Sequence, residues 1–389
     1  MTTARLSEVA SFIRGITFKP DDVLPLGSPG TVGCMRTKNV QADLDLSDVW
    51  AVPGALVPRN NQILRSGDTL VSSANSWNLV GKCSWVPELP YASSFGGFVA
   101  VLRATSDALD SRYLYRWFSS TRMQTLVRSF GRQTTNISNL DIQRCADLEV
   151  PLPPLPEQRR IAAILDQADV LRAKRREALA QLDSLTQSIF IEMFGDPSAN
   201  PKCFVRKKLG ELIKFEGGAQ PPASTFSADP GPEKIRLVQI RDFKSDRYKT
   251  YIPRRLARRF FDKSDVMIGR YGPPVFQIFR GLEGSYNVAL MKAVPREGVL
   301  SEFVFHLLQE KGLHNFVVAN SERTAGQSGV NLDLLQDYDA YLPPLELQTR
   351  FSRIVSRLDE HSKCMRVSSN EHDALFASLQ HRAFAGQLS

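Results

Sequence analysis

The chain contains 389 residues, of which 42% are hydrophobic, and this proportion excludes an intrinsically disordered protein. The 49 Lys and Arg residues outnumber the 41 Asp and Glu residues, and the net charge of +8 favours a polyanionic partner. The five cysteines are far apart, the N-terminus lacks an apolar signal core and no apolar segment is long enough to cross a bilayer, so the sequence predicts a cytoplasmic protein without disulfides that does not enter a membrane.

The first segment, residues 1–155, is predicted to form an α+β lobe. Short β-prone runs at 69–73 and 98–102 are separated by Gly and Pro residues, which are typical of turns. A helical pattern at about 113–127 precedes a proline-rich hinge. The charge of this segment is nearly balanced, with 15 Lys and Arg residues against 13 Asp and Glu residues.

A long helix is predicted over residues 156–196. Pro156 is compatible with a first helical turn, and no glycine or proline follows until Gly195. A seven-residue repeat of mostly apolar residues, broken by Arg175 and Glu192, is typical of a coiled-coil seam. The seam residues predicted on this helix are Ile161, Ile164, Ala168, Leu171, Ala178, Leu182, Leu185 and Ile189.

Residues 197–344 are predicted to form a second α+β lobe, with a β-prone run at 266–268 and a helical pattern at 302–320. Positive charge is concentrated at 206–263, where 15 Lys and Arg residues stand against 7 Asp and Glu residues, an excess of 8. The densest cluster contains Arg254, Arg255, Arg258 and Arg259, followed by Lys263. Such a cluster is suited to phosphate binding, and a solvated surface helix is the alternative.

A second long helix is predicted over residues 345–389. Its seam residues are Phe351, Ile354, Leu358, Met365, Leu375 and Leu379, and the middle of the repeat is polar. Each helix would run for about 38 residues, or about 55–60 Å. Because a stripe of this length must be covered, the two helices are predicted to pair as an antiparallel coiled coil. The alternative is that each helix packs on its own domain.

The two halves of the chain show a weak internal duplication. The sequence LPPL at 152–155 recurs at 342–345, an offset of 190 residues, and Gln158 then aligns with Gln348. Asp169 likewise aligns with Asp359. Because each unit is as long as a domain, the pattern indicates a tandem duplication and not a solenoid. The predicted fold is therefore α+β, with two globular lobes separated by two long helices.

The motifs of the first hinge and helix resemble those of the DNA-specificity subunits of type I restriction–modification systems. Residues 151–158 read PLPPLPEQ, 161–166 read IAAILD, and 188–196 read SIFIEMFGD. The segments 66–73, 131–138 and 240–243 resemble that family's target recognition domains, and 374–388 resembles its closing helix. The second hinge departs from the pattern, with ELQ at 346–348 where the first hinge has PEQ.

The resemblance implies a division of labour between this chain and its partners. Each lobe would recognise one half of a bipartite, asymmetric site in double-stranded DNA. The helices would set the spacing between the halves and dock two methyltransferase subunits, which restriction subunits driven by ATP would join. S-adenosylmethionine, ATP and Mg²⁺ would be used by those partners, and this chain would bind no cofactor.

The candidate DNA contacts are cationic or polar side chains in each lobe. Arg, Asn and Gln side chains can read base edges in the major groove. In the second lobe the candidates are the basic cluster, Arg254, Arg255, Arg258, Arg259 and Lys263; in the first lobe they are Arg122, Arg128, Arg132, Gln133, Thr134 and Asn136. The polar run at 133–136 is equally compatible with an ordinary turn before the last strand.

The sequence lacks the motifs typical of methyltransferase, nucleotide-binding and zinc-dependent catalytic sites. The chain has no Asn-Pro-Pro-aromatic tetrad, no glycine-rich methyl-donor loop, no Walker A loop and no zinc-binding histidine motif. One loose nuclease-like spacing, Asp229 with Asp242 and Lys244, arises easily in a chain with this many charges. A non-catalytic subunit is therefore predicted. A stand-alone DNA-binding scaffold or regulator is the alternative, and a free nuclease or methyltransferase is disfavoured.

Overall fold

The computed structural model describes residues 2–133, 137–197, 199–324 and 327–388 of a mixed α/β protein. The chain forms two compact units. The first unit comprises Met1–Arg176 with Val367–Ser389, and the second comprises Glu177–Arg366. Two helices of 40 residues each contribute to both units: α5 (Leu155–Phe194) and α10 (Leu345–Phe384).

The first lobe consists of short strands and four short helices. Its strands are β1 (Thr3–Arg5), β2 (Ala10–Arg14), β3 (Thr31–Met35), β4 (Trp50–Pro53), β5 (Thr69–Ser72), β6 (Ala74–Asn75), β7 (Cys83–Trp85), β8 (Ser93–Phe95), β9 (Val99–Ala104), β10 (Gly131–Gln133), β11 (Ser138–Leu140) and β12 (Glu149–Pro151). Its helices are α1 (Leu6–Val9), α2 (Ser111–Phe118), α3 (Thr121–Ser129) and α4 (Ile142–Ala146).

Two sheets form the body of this lobe. One is antiparallel with the order β2-β9-β5-β7, and the other has the order β4-β3-β8 with β3 and β8 parallel. β1 pairs with β12, which brings the start and the end of the lobe together. The helical pattern predicted at 113–127 is divided between α2 and α3, because the Ser120 side chain accepts a hydrogen bond from the Met123 backbone N–H and starts a new helix.

The second lobe has the same kinds of elements. Its strands are β13 (Val205–Lys208), β14 (Ile213–Gly217), β15 (Lys234–Val238), β16 (Tyr251–Pro253), β17 (Phe260–Phe261), β18 (Val266–Gly269), β19 (Gln277–Phe279), β20 (Gly284–Tyr286), β21 (Leu290–Pro295), β22 (Glu322–Thr324), β23 (Gln327–Gly329) and β24 (Asp339–Leu342). Its helices are α6 (Leu209–Leu212), α7 (Ser301–Leu307), α8 (Lys311–Ala319) and α9 (Leu332–Gln336).

The two main sheets of the second lobe repeat the strand orders of the first, with one added edge strand, β17. Its sheets have the orders β14-β21-β18-β19 and β16-β15-β20-β17, with β15 and β20 parallel, and β13 pairs with β24. A glycine allows two backbone segments to approach closely at the same point in each lobe. A Cβ atom at Gly15 would overlap the Gly96 carbonyl, and one at Gly218 would overlap the Asn287 carbonyl. The predicted duplication is thus present in the strand order.

Each long helix contributes to the hydrophobic core at both of its ends. In the first unit, Leu165 from α5 and Phe376 from α10 join the core around Tyr113. In the second unit, Phe190 from α5 packs against Phe351 from α10, with their ring centroids 5.6 Å apart. The interpretation in which each helix packs only on its own domain is therefore wrong.

Ion pairs also join each lobe to a long helix. In the first unit the Arg116 guanidinium donates to Asp166 at 2.6 Å and to Asp169 at 2.9 Å. In the second unit Arg280 pairs with Asp359 at 3.1 Å. Asp169 and Asp359 are the two residues that the duplication aligns, but their partners come from different elements: Arg116 lies in α2, whereas Arg280 directly follows β19.

The structure differs from the predicted seam in one of its two lines. Ile161 and Phe351 are buried, and the half-buried members of the predicted set are Ile164, Ala168, Ala178, Leu182, Ile189, Ile354, Leu358, Met365 and Leu379. Leu171 is 61% exposed, Leu185 41% and Leu375 64%, so these three do not lie in a covered seam.

The less exposed line lies one residue further along each helix. On α5 it contains Leu165, Arg172, Leu179, Thr186 and Met193, and on α10 it contains Val355, Ser362, Ser369, Phe376 and Ala383. A stripe that advances by three and then four residues repeats every seven residues, and so does a stripe that advances by four and then three. The apolar content of the sequence favoured the first spacing, whereas the structure covers the second. Arg172 can occupy this line because its guanidinium lies over the Phe376 ring, 4.2 Å from the ring centre, and also donates to Asp373 at 2.6 Å.

Candidate nucleic-acid interface

The basic cluster of the second lobe lies on an exposed turn and not on a surface helix. A single 3₁₀ turn, Arg254–Leu256, follows β16, and the Arg254 backbone N–H donates to the Glu233 carbonyl at 2.8 Å. The side chains of Arg254, Arg255, Arg258 and Arg259 are all exposed. The structure therefore supplies four exposed guanidinium groups on this turn and directly after it, which suits contact with successive phosphates.

Two cations of the basic cluster, Lys263 and Arg259, lie near acidic side chains. Lys263 is exposed and pairs with Glu283 at 3.4 Å. The pKa of Glu216 is lowered chiefly by a hydrogen bond from Lys214, with smaller contributions from the charges of Arg259 and Lys292. Exposed ion pairs of this kind contribute little free energy, so they leave these cations able to exchange partners.

The structure separates the candidate arginines of the first lobe. Arg122 and Arg128 are both on α3, but six residues of helix place their side chains about 120° apart. Arg122 is exposed and lines a cavity of about 370 Å³ with Glu149 and His381, on the side of the lobe where α10 ends. Arg128 is half-buried, and its Nε atom has no hydrogen-bond partner among the described residues.

The remaining first-lobe candidates are at the β10–β11 hairpin. Arg132 is 80% exposed and pairs with Asp141 at 2.6 Å. Gln133 is exposed at the end of β10. Thr134 and Asn136 lie outside the described residues. The four candidates that the structure describes are thus divided between α3 and the first strand of the hairpin, β10.

The first lobe contains a groove that the sequence patterns did not single out. We call it the aromatic groove and define it by Phe18, Arg36, Lys38, Trp50 and Phe98. Its volume is about 550 Å³. The Arg36 guanidinium lies 3.7 Å above the centre of the Trp50 ring, and Phe98 is 63% exposed. The only local sequence signal is a large apolar residue directly after the glycine pair 96–97.

Arg36 and Lys38 lie on a turn after β3, and the second lobe has a turn of the same construction after β15. In the first lobe, the Arg36 backbone N–H donates to the Asn39 side chain at 2.8 Å. In the second lobe, the Gln239 backbone N–H donates to the Asp242 side chain at 2.7 Å. Asp242 is buried, and this burial raises the pKa of its carboxyl group. The Asp242 side chain therefore stabilises a turn, which argues against its being a metal ligand of a nuclease site.

Neither metal binding nor membrane insertion has support in the described part of the chain. No group of three or more His, Cys, Asp or Glu residues is placed there to hold a metal ion. No helix in those ranges is both long enough and apolar enough to cross a membrane.

The known proteins that this chain resembles in sequence are specificity subunits of type I restriction enzymes. A family model described as the type I restriction modification DNA specificity domain matches residues 1–181. The type I restriction enzyme EcoKI specificity subunit of Escherichia coli (strain K12) is 24% identical, and the match covers 99% of this chain and 89% of that protein. The StySPI specificity subunit of Salmonella potsdam is 23% identical, with 100% of this chain and 89% of that protein covered.

Solved structures share the fold over the whole chain. A chain from a structure on complex assembly and conformational transition of the type I R-M system aligns with a TM-score of 0.62 at 20% identity, covering 100% of this chain and 98% of that one. The type I restriction–modification S subunit from M. genitalium aligns with a TM-score of 0.54 at 15% identity, covering 98% of this chain and 96% of that one.

Proposed function

We propose that the chain is a DNA-specificity subunit of a type I restriction–modification system, because it is similar to such subunits, and that each of its lobes reads one half of a bipartite, asymmetric DNA site. The chain supplies sequence specificity to a complex in which partner subunits carry out the chemistry. Two methyltransferase subunits and the restriction subunits are the proposed partners, and S-adenosylmethionine, ATP and Mg²⁺ are bound by them and not by this chain.

The observation that supports this proposal is that equivalent strands of the two lobes carry different exposed side chains. The strand registers make Arg36 equivalent to Gln239, because both follow the strand that pairs in parallel with β8 or β20. By the same registers Trp50 is equivalent to Thr250. Two lobes with the same strand order but different exposed side chains suit the recognition of two different base sequences.

The long helices are proposed to form an antiparallel coiled coil that sets the spacing of the half-sites. The contacts within the first unit support antiparallel pairing: Arg172 meets Asp373, and Arg175, three residues later, meets His372, one residue earlier. Val170 and Val367 are more than half exposed on these helices. Exposed apolar side chains of this kind suit the docking of the methyltransferase subunits.

An exchange of lobes tests the proposal. The segment 1–155 is replaced by the corresponding segment of a family member with a different target, and the hybrid is produced with its methyltransferase partner. Methylated positions are then mapped across the host genome. We expect one half of the site to change and the other half to stay the same. A change in both halves, or in neither, would contradict the assignment of one lobe to each half.

A further inference from the structure

We infer that the aromatic groove is the surface with which the first lobe contacts the base pairs of its half-site, with Phe98 against the bases and Lys38 at a phosphate. This inference rests on the proposed function and deepens it, because it names the contact surface of one lobe. It also moves that surface away from Arg122, whose side chain lines a cavity beside the end of α10.

The lining of the aromatic groove has the chemistry of a nucleic-acid contact. Among the residues that the structure describes, the charged residues that line it are Arg36 and Lys38, and both pair with the Asp48 carboxylate. Aromatic rings offer flat apolar surfaces to bases, and cations beside them offer contacts to the backbone. A groove that was purely apolar would suit a peptide or a lipid, whereas this combination suits a polyanion with aromatic bases.

Arg36 positions the groove and is not itself the proposed contact. Its Nη2 atom donates to the Asp48 carbonyl at 3.0 Å and lies 3.1 Å from the Asp48 carboxylate. Its guanidinium stacks on Trp50, and its Nε atom is buried without a partner among the described residues. The stacked pair forms a rigid wall, since both groups are held by the lobe.

Lys38 and Phe98 are the exposed groups at the rim. The Lys38 side chain is 59% exposed, and its pair with Asp48 at 2.5 Å lies on the surface, where a phosphate can replace the carboxylate. Phe98 is held on a fixed backbone, because its carbonyl accepts from the Ser73 N–H at 2.9 Å. A rigidly mounted and exposed phenyl ring can pack on bases or a thymine methyl group with little loss of conformational entropy.

The second lobe has the same frame with different chemistry. At the position of Lys38 it has Arg241, whose guanidinium lies 5.6 Å from the centre of the Tyr248 ring. At the positions of Arg36 and Trp50 it has Gln239 and Thr250. A variable surface on a repeated frame is expected where two lobes read two sequences.

The test uses the full chain assembled with its methyltransferase subunits. The variants are Phe98→Ala and Lys38→Ala. Leu79→Ala and Arg65→Ala are matched controls, because Leu79 and Arg65 are also exposed in the first lobe but do not line the groove. Equilibrium binding is measured on duplexes that carry the cognate site, on duplexes with substitutions in either half, and over a range of salt concentrations.

Phe98→Ala should weaken binding of the cognate duplex about 5- to 150-fold, which is the range expected when one good interaction with a base is removed. Discrimination against substitutions should decrease in one half of the site only. Lys38→Ala should lower the slope of log K against log salt concentration by about 0.9, as expected when one phosphate is no longer neutralised by the protein. Both controls should bind like the unmodified chain.

Binding by both groove variants that matches the controls would overturn the inference, and so would an equal decrease of discrimination in both halves. The lobe exchange separates these results from a failure of the proposed function. If the exchange still changes one half of the site, the lobe reads DNA with another surface. If the exchange changes neither half, the assignment of lobes to half-sites is itself wrong.

Discussion

Gln158 and Gln348 lie 190 positions apart and make the same three hydrogen bonds, one set in each lobe. The Nε2 atom of Gln158 donates to the carbonyls of Pro153 and Ala108, each at 2.8 Å. Its Oε1 atom accepts from the Asp110 N–H at 2.9 Å. One buried amide thus joins the start of α5 to the loop before α2.

In the second lobe, Gln348 repeats this arrangement at the start of α10. Its Nε2 atom donates to Pro343 at 2.9 Å and to Gly298 at 3.0 Å, and its Oε1 atom accepts from the Leu300 N–H at 2.9 Å. Both glutamine side chains are fully buried. The amide therefore fixes each long helix to its lobe.

Replacement of this amide should destabilise the lobe that contains it. Gln348→Ala removes the hydrogen-bond partner of the Leu300 N–H and of the Pro343 and Gly298 carbonyls, and we expect the free energy of unfolding to fall by about 2–4 kcal/mol. Gln167→Ala is the control, because Gln167 is exposed on α5 and its replacement should change stability by less than about 0.5 kcal/mol. Denaturant unfolding of the full chain provides the measurement. Equal midpoints for the two variants would contradict the structural role of the amide.

Because the covered line differs from the predicted seam, opposite results are expected for two leucines that lie six residues apart on α5. Leu165 is fully buried, and Leu165→Ala should cost about 2–5 kcal/mol. Leu171 is 61% exposed, and Leu171→Ala should cost less than about 0.5 kcal/mol. Unfolding midpoints of the two variants decide between the registers. A large cost at Leu171 would restore the seam predicted from the sequence.

The basic cluster should supply affinity without selectivity. Replacing Arg254, Arg255 and Arg258 together with alanine should weaken binding of the chain to all DNA sequences. The slope of log K against log salt concentration should fall by about 0.9 for each phosphate that the variant no longer neutralises. The control replaces three exposed arginines of α10, namely Arg350, Arg353 and Arg357, and so removes the same charge elsewhere. Identical slopes for both triple variants would mean that only net charge matters.

Glu310 gives the second lobe a dependence on pH. Burial, with a smaller contribution from the charge of Asp196, raises the pKa of its carboxyl group from 4.5 to about 7. The folded chain then holds a proton that the unfolded chain releases, so stability should decrease as the pH rises from about 4.5 to 7. Glu310→Gln should remove this decrease and stabilise the lobe by about 1–3 kcal/mol at pH 8. The same variant should have little effect near pH 4, and unfolding curves at both pH values test this.

The helices should act as a ruler whose length can be changed in steps of one heptad. Seven residues inserted after Ala180, with seven more inserted after Met365, keep the seam in phase and add about 10.5 Å. Since DNA rises about 3.4 Å per base pair, the spacer between the half-sites should lengthen by about three base pairs. Both half-sites should be unchanged, because no lobe residue is altered. A methylated site with its original spacer would show that the helices do not set the distance.

The sequence by itself determined the features that depend on local or repeated patterns. The two long helices, the hinge before each and the duplication all follow from the spacing of apolar residues and from proline and glycine signals along the chain. The basic turn was also visible, because four arginines within six residues remain together in any fold. These signals survive folding because each involves neighbours in sequence.

Tertiary structure alone decided the covered line of the helix pair and the aromatic groove. Two lines share one seven-residue period, and only packing in the folded core distinguishes Leu165, which is buried, from Leu171, which is exposed. The groove unites Arg36 after β3, Trp50 in β4 and Phe98 before β9, which come together because β3 pairs in parallel with β8. Residues so far apart in sequence acquire a common surface only when the sheet forms, so no local pattern could have identified them.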